Sequence, residues 1–392
     1  MKKLLVALLI STGITSAYAQ SSVSVYGYLD VGVVGTNYKG VGNDAATQQS
    51  TTSIGQSLEG PSRMGFNGSE DLGGGTSAIF KIELGLDPDN STLSSFNNRQ
   101  TYVGLKQNDL GEFRMGTQMT PIFWNALKSD AGGLNNIIGD AIWAANPQGV
   151  NGNGGSTPYT PATSSGTQSN GFTVRTANTL TLMSDKFNGF TATGFVTLND
   201  VNTTQTSATT GGTVNTNGYG LNVNYEINQL FLTANYQALK SYTSAATVTT
   251  PTPALWAGAG GGVNTQDNQT YLAGTYDFGI VKTYAQYIDR KVTDTLNSGY
   301  WGRRSAEQVG VRGFFTPRIE GWAQVGMGKV TAFGQGNPAA NFTTYQVGSN
   351  YWFSKRTNLY AIFGSSQTSS VASINIPGVS GNAYGLGIAH TF

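Results

Sequence analysis

Glu112-Phe113-Arg114-Met115-Gly116-Thr117-Gln118-Met119-Thr120-Pro121 is the stretch from which the fold can be read. Its first half alternates, Phe113 and Met115 on one side and Glu112 and Arg114 on the other, the period of a strand with two different faces. After Pro121 the chain runs for about fifty residues almost without charge. Between Thr117 and Asn170 the only Lys, Arg, Asp or Glu residues are Lys128, Asp130 and Asp140. Connections beyond roughly 12–15 residues are functional elements or disordered segments. Ile122, Phe123, Trp124, Leu127, Leu134, Ile137, Ile138, Ile142 and Trp143 make the first half of this one too apolar for a free tail. The second half, 151–170, is rich in Gly, Ser, Thr and Pro. A half-apolar loop needs an interior to fold against, and a barrel lumen supplies one.

Residues 1–19 read as a secretory leader: Lys2 and Lys3, the apolar run from Leu4 to Ile10, then Ala17-Tyr18-Ala19 before a mature start at Gln20. Losing Lys2 and Lys3 with the leader turns the net charge from +1 to −1, so no polybasic surface for nucleic acid is implied. With no cysteine there are no disulfides, thiolate metal sites or cysteine nucleophile. Beyond the leader no apolar run approaches the ~20 residues of a membrane helix. Taken alone, this describes a soluble periplasmic protein. Three features oppose that reading: only 11% charged residues, 53 glycines, and 19 Tyr with 18 Phe. Together with many alternating segments of about ten residues, they form the distributed signature of an outer-membrane barrel.

The alternation assigns faces. In the first strand, 22–38, Val23, Val25, Leu29, Val31 and Val33 share one side and Ser24, Tyr26, Tyr28 and Asp30 the other. A polar loop, 39–60, follows. Met64 and Phe66 pointing outward turn Arg63 inward; Ala78, Phe80, Ile82 and Leu84 do the same for Lys81 and Glu83. Thr101, Val103 and Leu105 give the next strand its outer face, and the same parity leaves Arg99 on the outside. Leu180 and Leu182 outward place Arg175 and Thr181 inward. Further strands fall at about 190–199, 218–227, 230–242, 269–278, 280–291, 306–315, 318–331, 343–353, 358–367 and 382–392, sixteen in all. Short turns alternate with long polar loops, the asymmetry expected of periplasmic and external connections. Tyr351, Trp352, Phe353, Tyr360 and Phe363 stand near strand ends, as aromatic girdles would.

Five stretches carry a specific resemblance. They are Ser22-Val23-Ser24-Val25-Tyr26-Gly27, the run from Ser62-Arg63-Met64-Gly65-Phe66 to Gly73-Gly74-Gly75, and Arg99-Gln100-Thr101-Tyr102-Val103-Gly104-Leu105. Ser354-Lys355-Arg356-Thr357-Asn358-Leu359-Tyr360 and the ending Gly387-Ile388-Ala389-His390-Thr391-Phe392 complete the set. The mature chain resembles the general-diffusion porins of the beta-proteobacterial type. The resemblance implies an all-β, 16-stranded antiparallel transmembrane barrel over 20–392, assembled as a homotrimer through strands near both termini. It implies a third external loop, here about 117–172, folded inward as the constriction, and a basic ladder whose positions match Arg63 and Arg175. Asn98 stands where some relatives carry a third arginine and Thr117 where the family often has one, so the ladder is interrupted. Phe392 is similar to the signal that barrel-insertion machinery reads on a last strand, and loop 87–97 is placed to reach a neighbouring subunit.

Other chemistry finds little support. The sole histidine, His390, has no catalytic neighbours in sequence, so neither a hydrolase nor a zinc site is expected. Asp87-Pro88-Asp89-Asn90 lacks the glycine and terminal Glu of a calcium loop, and Gly149, Gly152 and Gly154 precede no helix that could hold phosphate. Asn67, Asn90 and Asn202 begin sequons that mean nothing in a bacterial barrel. Inward charge is the informative feature, because an outward Arg or Lys near the bilayer midplane costs roughly 2–4 kcal/mol. Arg63, Lys81, Glu83, Arg114 and Arg175 are the expected constriction wall, with Asp130 and Asp140 as opposing acids on the loop. The expected protein is a passive, weakly anion-selective pore for small hydrophilic solutes and ions. It needs no cofactor and sits among outer-membrane lipid and lipopolysaccharide. A substrate-specific channel with an aromatic track (Tyr26, Tyr28, Trp124, Trp143) and a surface adhesin with a plugged lumen are the alternatives.

Overall fold

The computed structural model describes residues 21–39, 48–89, 97–142, 175–204, 206, 212–243, 265–295, 298–299, 301–333, 339–369 and 378–392. The leader, the start at Gln20, most of loop 87–97 with Asn90, and the loop segment holding Trp143, Gly149, Gly152 and Gly154 lie outside these residues. The strands are β1 (Ser21–Lys39), β2 (Gln48–Gln56), β3 (Arg63–Gly73), β4 (Thr76–Gly85), β5 (Asn97–Gln107) and β6 (Gly111–Met119). After helix α1 (Pro121–Ser129) come β7 (Arg175–Ser184), β8 (Phe190–Thr197), β9 (Asp200–Thr203), β10 (Gly212–Ile227), β11 (Leu230–Thr243) and β12 (Thr265–Asp277). The remainder are β13 (Lys282–Asp294), β14 (Trp301–Thr316), β15 (Ile319–Phe333), β16 (Ala339–Ser354), β17 (Thr357–Thr368) and β18 (Val379–Thr391). Neighbours pair antiparallel throughout, and β1 pairs with β18 from Tyr28↔Thr391 to Lys39↔Ser380, which closes the barrel. β2 and β3 both pair with β1, and β8 and β9 both pair with β10, so each couple is one interrupted wall strand. Sixteen wall strands result, as the sequence implied.

Polarity is inverted relative to a soluble fold. Val23 is 65% exposed and Leu221 64%, while the inward Gln237, Gln269 and Gln346 are fully buried. Only lipid makes such an outer surface stable, and buried amides are tolerable because they bond one another. Gln237 Nε2 donates to Gln269 Oε1 (3.1 Å) and Gln308 Nε2 to Gln286 Oε1 (3.0 Å).

Several strands differ from the sequence reading at their long-loop ends. The expected polar loop 39–60 contains β2, which pairs with β1 from Val31↔Gln56 to Lys39↔Gln48. In Gln48-Gln49-Ser50-Thr51-Thr52-Ser53-Ile54-Gly55-Gln56 only Ile54 is bulky and apolar, so no alternation signals a strand. Above the lipid an outward side chain need not be apolar, and β10, β12, β14 and β16 extend in the same way. Tyr360 and Trp352 are corrected from girdle to lumen. Tyr360 is buried with its hydroxyl on Asp30 Oδ1 (2.5 Å), and Trp352 Nε1 reaches Glu320 Oε2 (3.3 Å). Their parity is opposite to that of the exposed Tyr351, Phe353 and Phe363.

Between β2 and β3, residues 57–62 leave the wall and fold inward. Asp30 holds this excursion: its Oδ2 accepts from Glu59 N (2.7 Å) and Gly60 N (2.9 Å), and its backbone N–H donates to Ser62 Oγ (3.1 Å). The described part of the long loop lies against it and against the inner wall. Thr120 Oγ1 caps α1 by accepting from Phe123 N (3.3 Å), and Pro121 suits the first turn. Ile122, Phe123, Ala126, Leu134 and Ile142 pack on Tyr271, Ile288 and Phe342 of β12, β13 and β16. Farther along, Ala131 and Ile137 join Leu58, Trp322 and Ile362. The apolar core therefore lies inside the barrel, between loop and wall.

Candidate pore constriction

Strands β3–β7 bring a set of bases to one arc of the inner wall, next to Tyr26 and Tyr28 of β1. Glu83 is its centre: Oε1 accepts from Arg99 Nε (2.8 Å), Oε2 accepts from the Tyr26 hydroxyl (2.8 Å), and Lys81 Nζ lies 3.7 Å away. Arg63 donates to the Pro61 carbonyl (2.7 Å) and acts electrostatically on Glu83. Arg175 donates to the Asn98 carbonyl (2.8 Å), within electrostatic reach of Arg99 and Glu83. Three of the bases also lie over rings: Arg63 over Tyr28 (5.1 Å), Lys81 over Tyr26 (5.1 Å) and Arg114 over Tyr102 (5.0 Å). Arg114 is paired with Glu112 (2.5 Å). Among the described residues the cluster around Glu83 thus gathers four bases on one acid. Glu59, the next acid along, accepts from Tyr28, Asn350 and Asn358.

Arg99 is a correction. Simple parity turns it to the lipid, yet it is buried against Glu83. Glu83 pairs with Gln100 and Leu84 with Asn98, so β5 has one residue more than β4 at this point. Such a bulge re-aims a side chain, and no composition signal marks it. Alternation also breaks before Arg175, where Ala177 and Asn178 (φ 53°) bulge opposite Thr117.

Asp130 and Asp140 do not meet these bases. Both are buried in the seam between the loop and the opposite wall, where Asp130 Oδ1 accepts from Gln308 Nε2 (2.9 Å) and Oδ2 from Leu134 N (2.8 Å). The two carboxyls lie close together, and burial together with the Asp140 charge raises the Asp130 pKa well above the usual carboxylate range. Arg312 acts on Asp130 from β14, where it also forms two bonds to Glu320 (2.7 and 2.8 Å) and donates to the Ala131 carbonyl. Arg304 donates to the Ala141 carbonyl.

The residues that seat the loop were not identified in the sequence. Gly132 N donates to Gln324 Oε1 (3.0 Å), Ala141 N to Gln308 Oε1 (2.7 Å), and Gln346 Nε2 to the Ile137 carbonyl (2.9 Å). Inward glycines make room for this contact: a Cβ on Gly364 would stand 1.5 Å from the Ile138 carbonyl oxygen, and one on Gly326 2.4 Å from Ala141 Cβ. Inward Gln and Gly on consecutive strands is the signal that could have revealed the footprint. At the barrel seam, Phe392 exchanges both backbone bonds with Gly27 (3.0 and 3.1 Å), and its ring fills the space a Cβ on Gly27 would take.

The sequence pattern of the Gram-negative porin family matches residues 5–370. Outer membrane porin protein 32 of Delftia acidovorans is 38% identical over 158 residues, 39% of this chain and 43% of that protein. Major outer membrane protein P.IB of Neisseria meningitidis serogroup B is 32% identical over 136 residues, 34% of this chain and 37% of that protein. These alignments span less than half the length of the relatives. In fold, the chain is similar to an anion-selective porin from Comamonas acidovorans (TM-score 0.67, 21% identity, 95% of this chain and 100% of that one). It is similar also to the outer-membrane expressed OmpT of Vibrio cholerae (TM-score 0.63, 13% identity, 95% and 98%). With a family match across nearly its whole length and a closed barrel of sixteen wall strands, the chain belongs to the Gram-negative porin family of the outer membrane.

Proposed function

We propose that the protein is a passive, water-filled channel for small hydrophilic solutes and ions, with a weak preference for anions. One observation carries the reading: the charge of the two sides of the lumen is unequal. On the β3–β7 arc Arg63, Lys81, Arg99 and Arg175 outnumber Glu83. On the far arc each base has an acid near it, Arg290 paired with Asp267 (2.8 Å), Arg312 with Glu320, and Arg304 within electrostatic reach of Asp140, and Asp130 and Asp140 lie under the loop. A net positive wall raises the local anion concentration, and the range of that field is about 8 Å at physiological salt and 30 Å at 0.01 M. Selectivity is therefore slight in strong salt and grows on dilution. The fold neighbour from Comamonas acidovorans, an anion-selective porin, is in keeping with this sign. The reading requires neither cofactor nor energy input.

The same reading takes the assembly to be a homotrimer; the OmpT fold neighbour is known in a trimer form. A substrate-specific channel is the second reading, favoured by Tyr26, Tyr28 and Tyr102 standing in one lumenal arc. Bases already cover those ring faces at 5.0–5.1 Å, which argues against a bare stacking track. Planar-bilayer recording in a KCl gradient decides. A reversal potential of anionic sign that moves toward cations in Arg63→Glu/Arg175→Glu is expected; an unmoved potential at 0.1 M salt or below removes both residues from the constriction. Saturable block by one solute class favours the second reading.

A further inference from the structure

The outer surface of β11–β15 departs from a plain lipid-facing wall in two adjoining ways. The first is a groove of about 700 Å³. The outward positions Ala234, Gly274 and Ala285 are small and form its floor, and Leu272, Val309 and Val325 are among its walls. A second hollow continues it toward the short turns, sharing Gly274 and Ala285. At the long-loop end the groove stops at the cross-strand row Tyr287, Glu307 and Met327.

The second departure begins one row farther out. Asp289, Ser305 and Lys329 lie side by side on β13, β14 and β15, and beyond them Lys291 is directly opposite Arg303. All share the outward parity of Tyr287 and Val309. Rows on one face are about 7 Å apart and strands about 5 Å, so one anion over Ser305 is within reach of all three bases. Like charges directly across a ladder destabilise it. Asp289 answers only part of the charge, by pairing with Arg303 (2.5 Å), while Lys291 rests 4.9 Å over the Trp301 ring. Lys240 adds a fourth outward base on β11, against the acids Asp289 and Glu307.

We propose that this face is a binding site for one lipopolysaccharide molecule, its phosphates on Lys291, Arg303 and Lys329 and its acyl chains in the groove below. The assignment rests on the reading of the long-loop end as external, since that side of the outer membrane presents a phosphorylated, multiply acylated glycolipid. Charge complementarity selects the headgroup: guanidinium and ammonium groups are the usual phosphate ligands. The apolar groove directly beneath them selects an acylated ligand over free phosphate. These residues lie away from the lumen, so occupancy and conduction are separable.

The test uses the full-length barrel purified in mild detergent, with rough-type lipopolysaccharide, its enzymatically dephosphorylated form, phosphatidylglycerol and inorganic phosphate as probes in native mass spectrometry. Intact lipopolysaccharide is expected to bind at least tenfold more tightly than the other three. Lys291→Gln/Lys329→Gln and, separately, Ala285→Phe should each weaken it at least tenfold, with heat-modifiable migration and single-channel conductance unchanged. Equal binding of dephosphorylated lipopolysaccharide or of phosphatidylglycerol overturns the proposal, as does wild-type affinity in either variant. Self-association through this face, abolished by the same substitutions without lipid, also overturns it. Conductance scores the pore reading on its own: a barrel that binds the lipid but carries no current loses that reading and keeps this one.

Discussion

Arg99 Nε donates to Glu83 Oε1 at 2.8 Å, and the bond exists because β5 carries one residue more than β4 where the two meet. Both side chains are more than nine-tenths buried. The bulge adds a base to the wall at a position that strand alternation assigns to lipid.

Replacing Arg99 by Gln leaves Glu83 with Tyr26 and the more distant Lys81 and Arg63. A buried acceptor losing one strong partner costs about 1–3 kcal/mol. The urea midpoint of the folded barrel should fall accordingly, and the anion preference should weaken because one wall charge is gone. An unchanged midpoint and an unchanged reversal potential together would mean that the pair is neither structural nor near the current path.

Gly364→Ala should unseat the inward-folded loop. The new Cβ meets the Ile138 carbonyl oxygen at 1.5 Å in the present geometry, so loop or wall must move. Overpacking of this kind costs about 1–3 kcal/mol. Single-channel currents should show altered conductance or frequent sub-levels, while Phe363→Ala on the lipid side leaves them unchanged. Wild-type currents in Gly364→Ala would mean that the loop does not set the conductance.

The Asp130–Asp140 pair makes loop seating pH-dependent. Asp130 has its pKa raised in the folded state, so seating of the loop favours the protonated carboxyl. Its contribution is fully present below the ordinary aspartate value of ~3.9 and is lost as pH rises through the raised value. Arg312 on β14 opposes this trend without cancelling it, since the net direction is upward. Closures or current noise should therefore increase from acidic to alkaline pH, and Asp130→Asn should flatten the profile. A wild-type profile with no slope, or one of opposite sign, contradicts this role for Asp130.

Deleting Phe392 removes two backbone bonds to Gly27 and the ring packed on it. Folded, heat-modifiable barrel recovered from the membrane should drop several-fold. Gly27→Val, which crowds the same ring, should lower the yield in the same direction. Normal insertion by both variants would show that the last residue is dispensable for closure.

Much of the wall was legible because its physics is local. A strand with lipid on one side and water on the other must alternate, and Val23 to Val33, Phe80 to Leu84 and Leu180 to Leu182 do so plainly. The inward side of Arg63, Lys81, Glu83 and Arg114 follows from the same rule. The rule fails where a bulge shifts the phase, as at Arg99, and where strands rise above the lipid and lose the reason to alternate, as in β2.

By itself the sequence determined the barrel: strand number, which face of most strands meets lipid, and an apolar loop that had to fold inward. Tertiary structure alone decided where that loop lies. Its carbonyls and amides are met by Gln308, Gln324 and Gln346, strands far from it in sequence, and glycines such as Gly364 admit its backbone. That choice turned Asp130 and Asp140 into the seam and left the base-rich arc across the lumen without them. The physical reason is one of range: alternation is set by each residue's own neighbours, whereas the fit of a loop to a wall depends on partners roughly two hundred positions away.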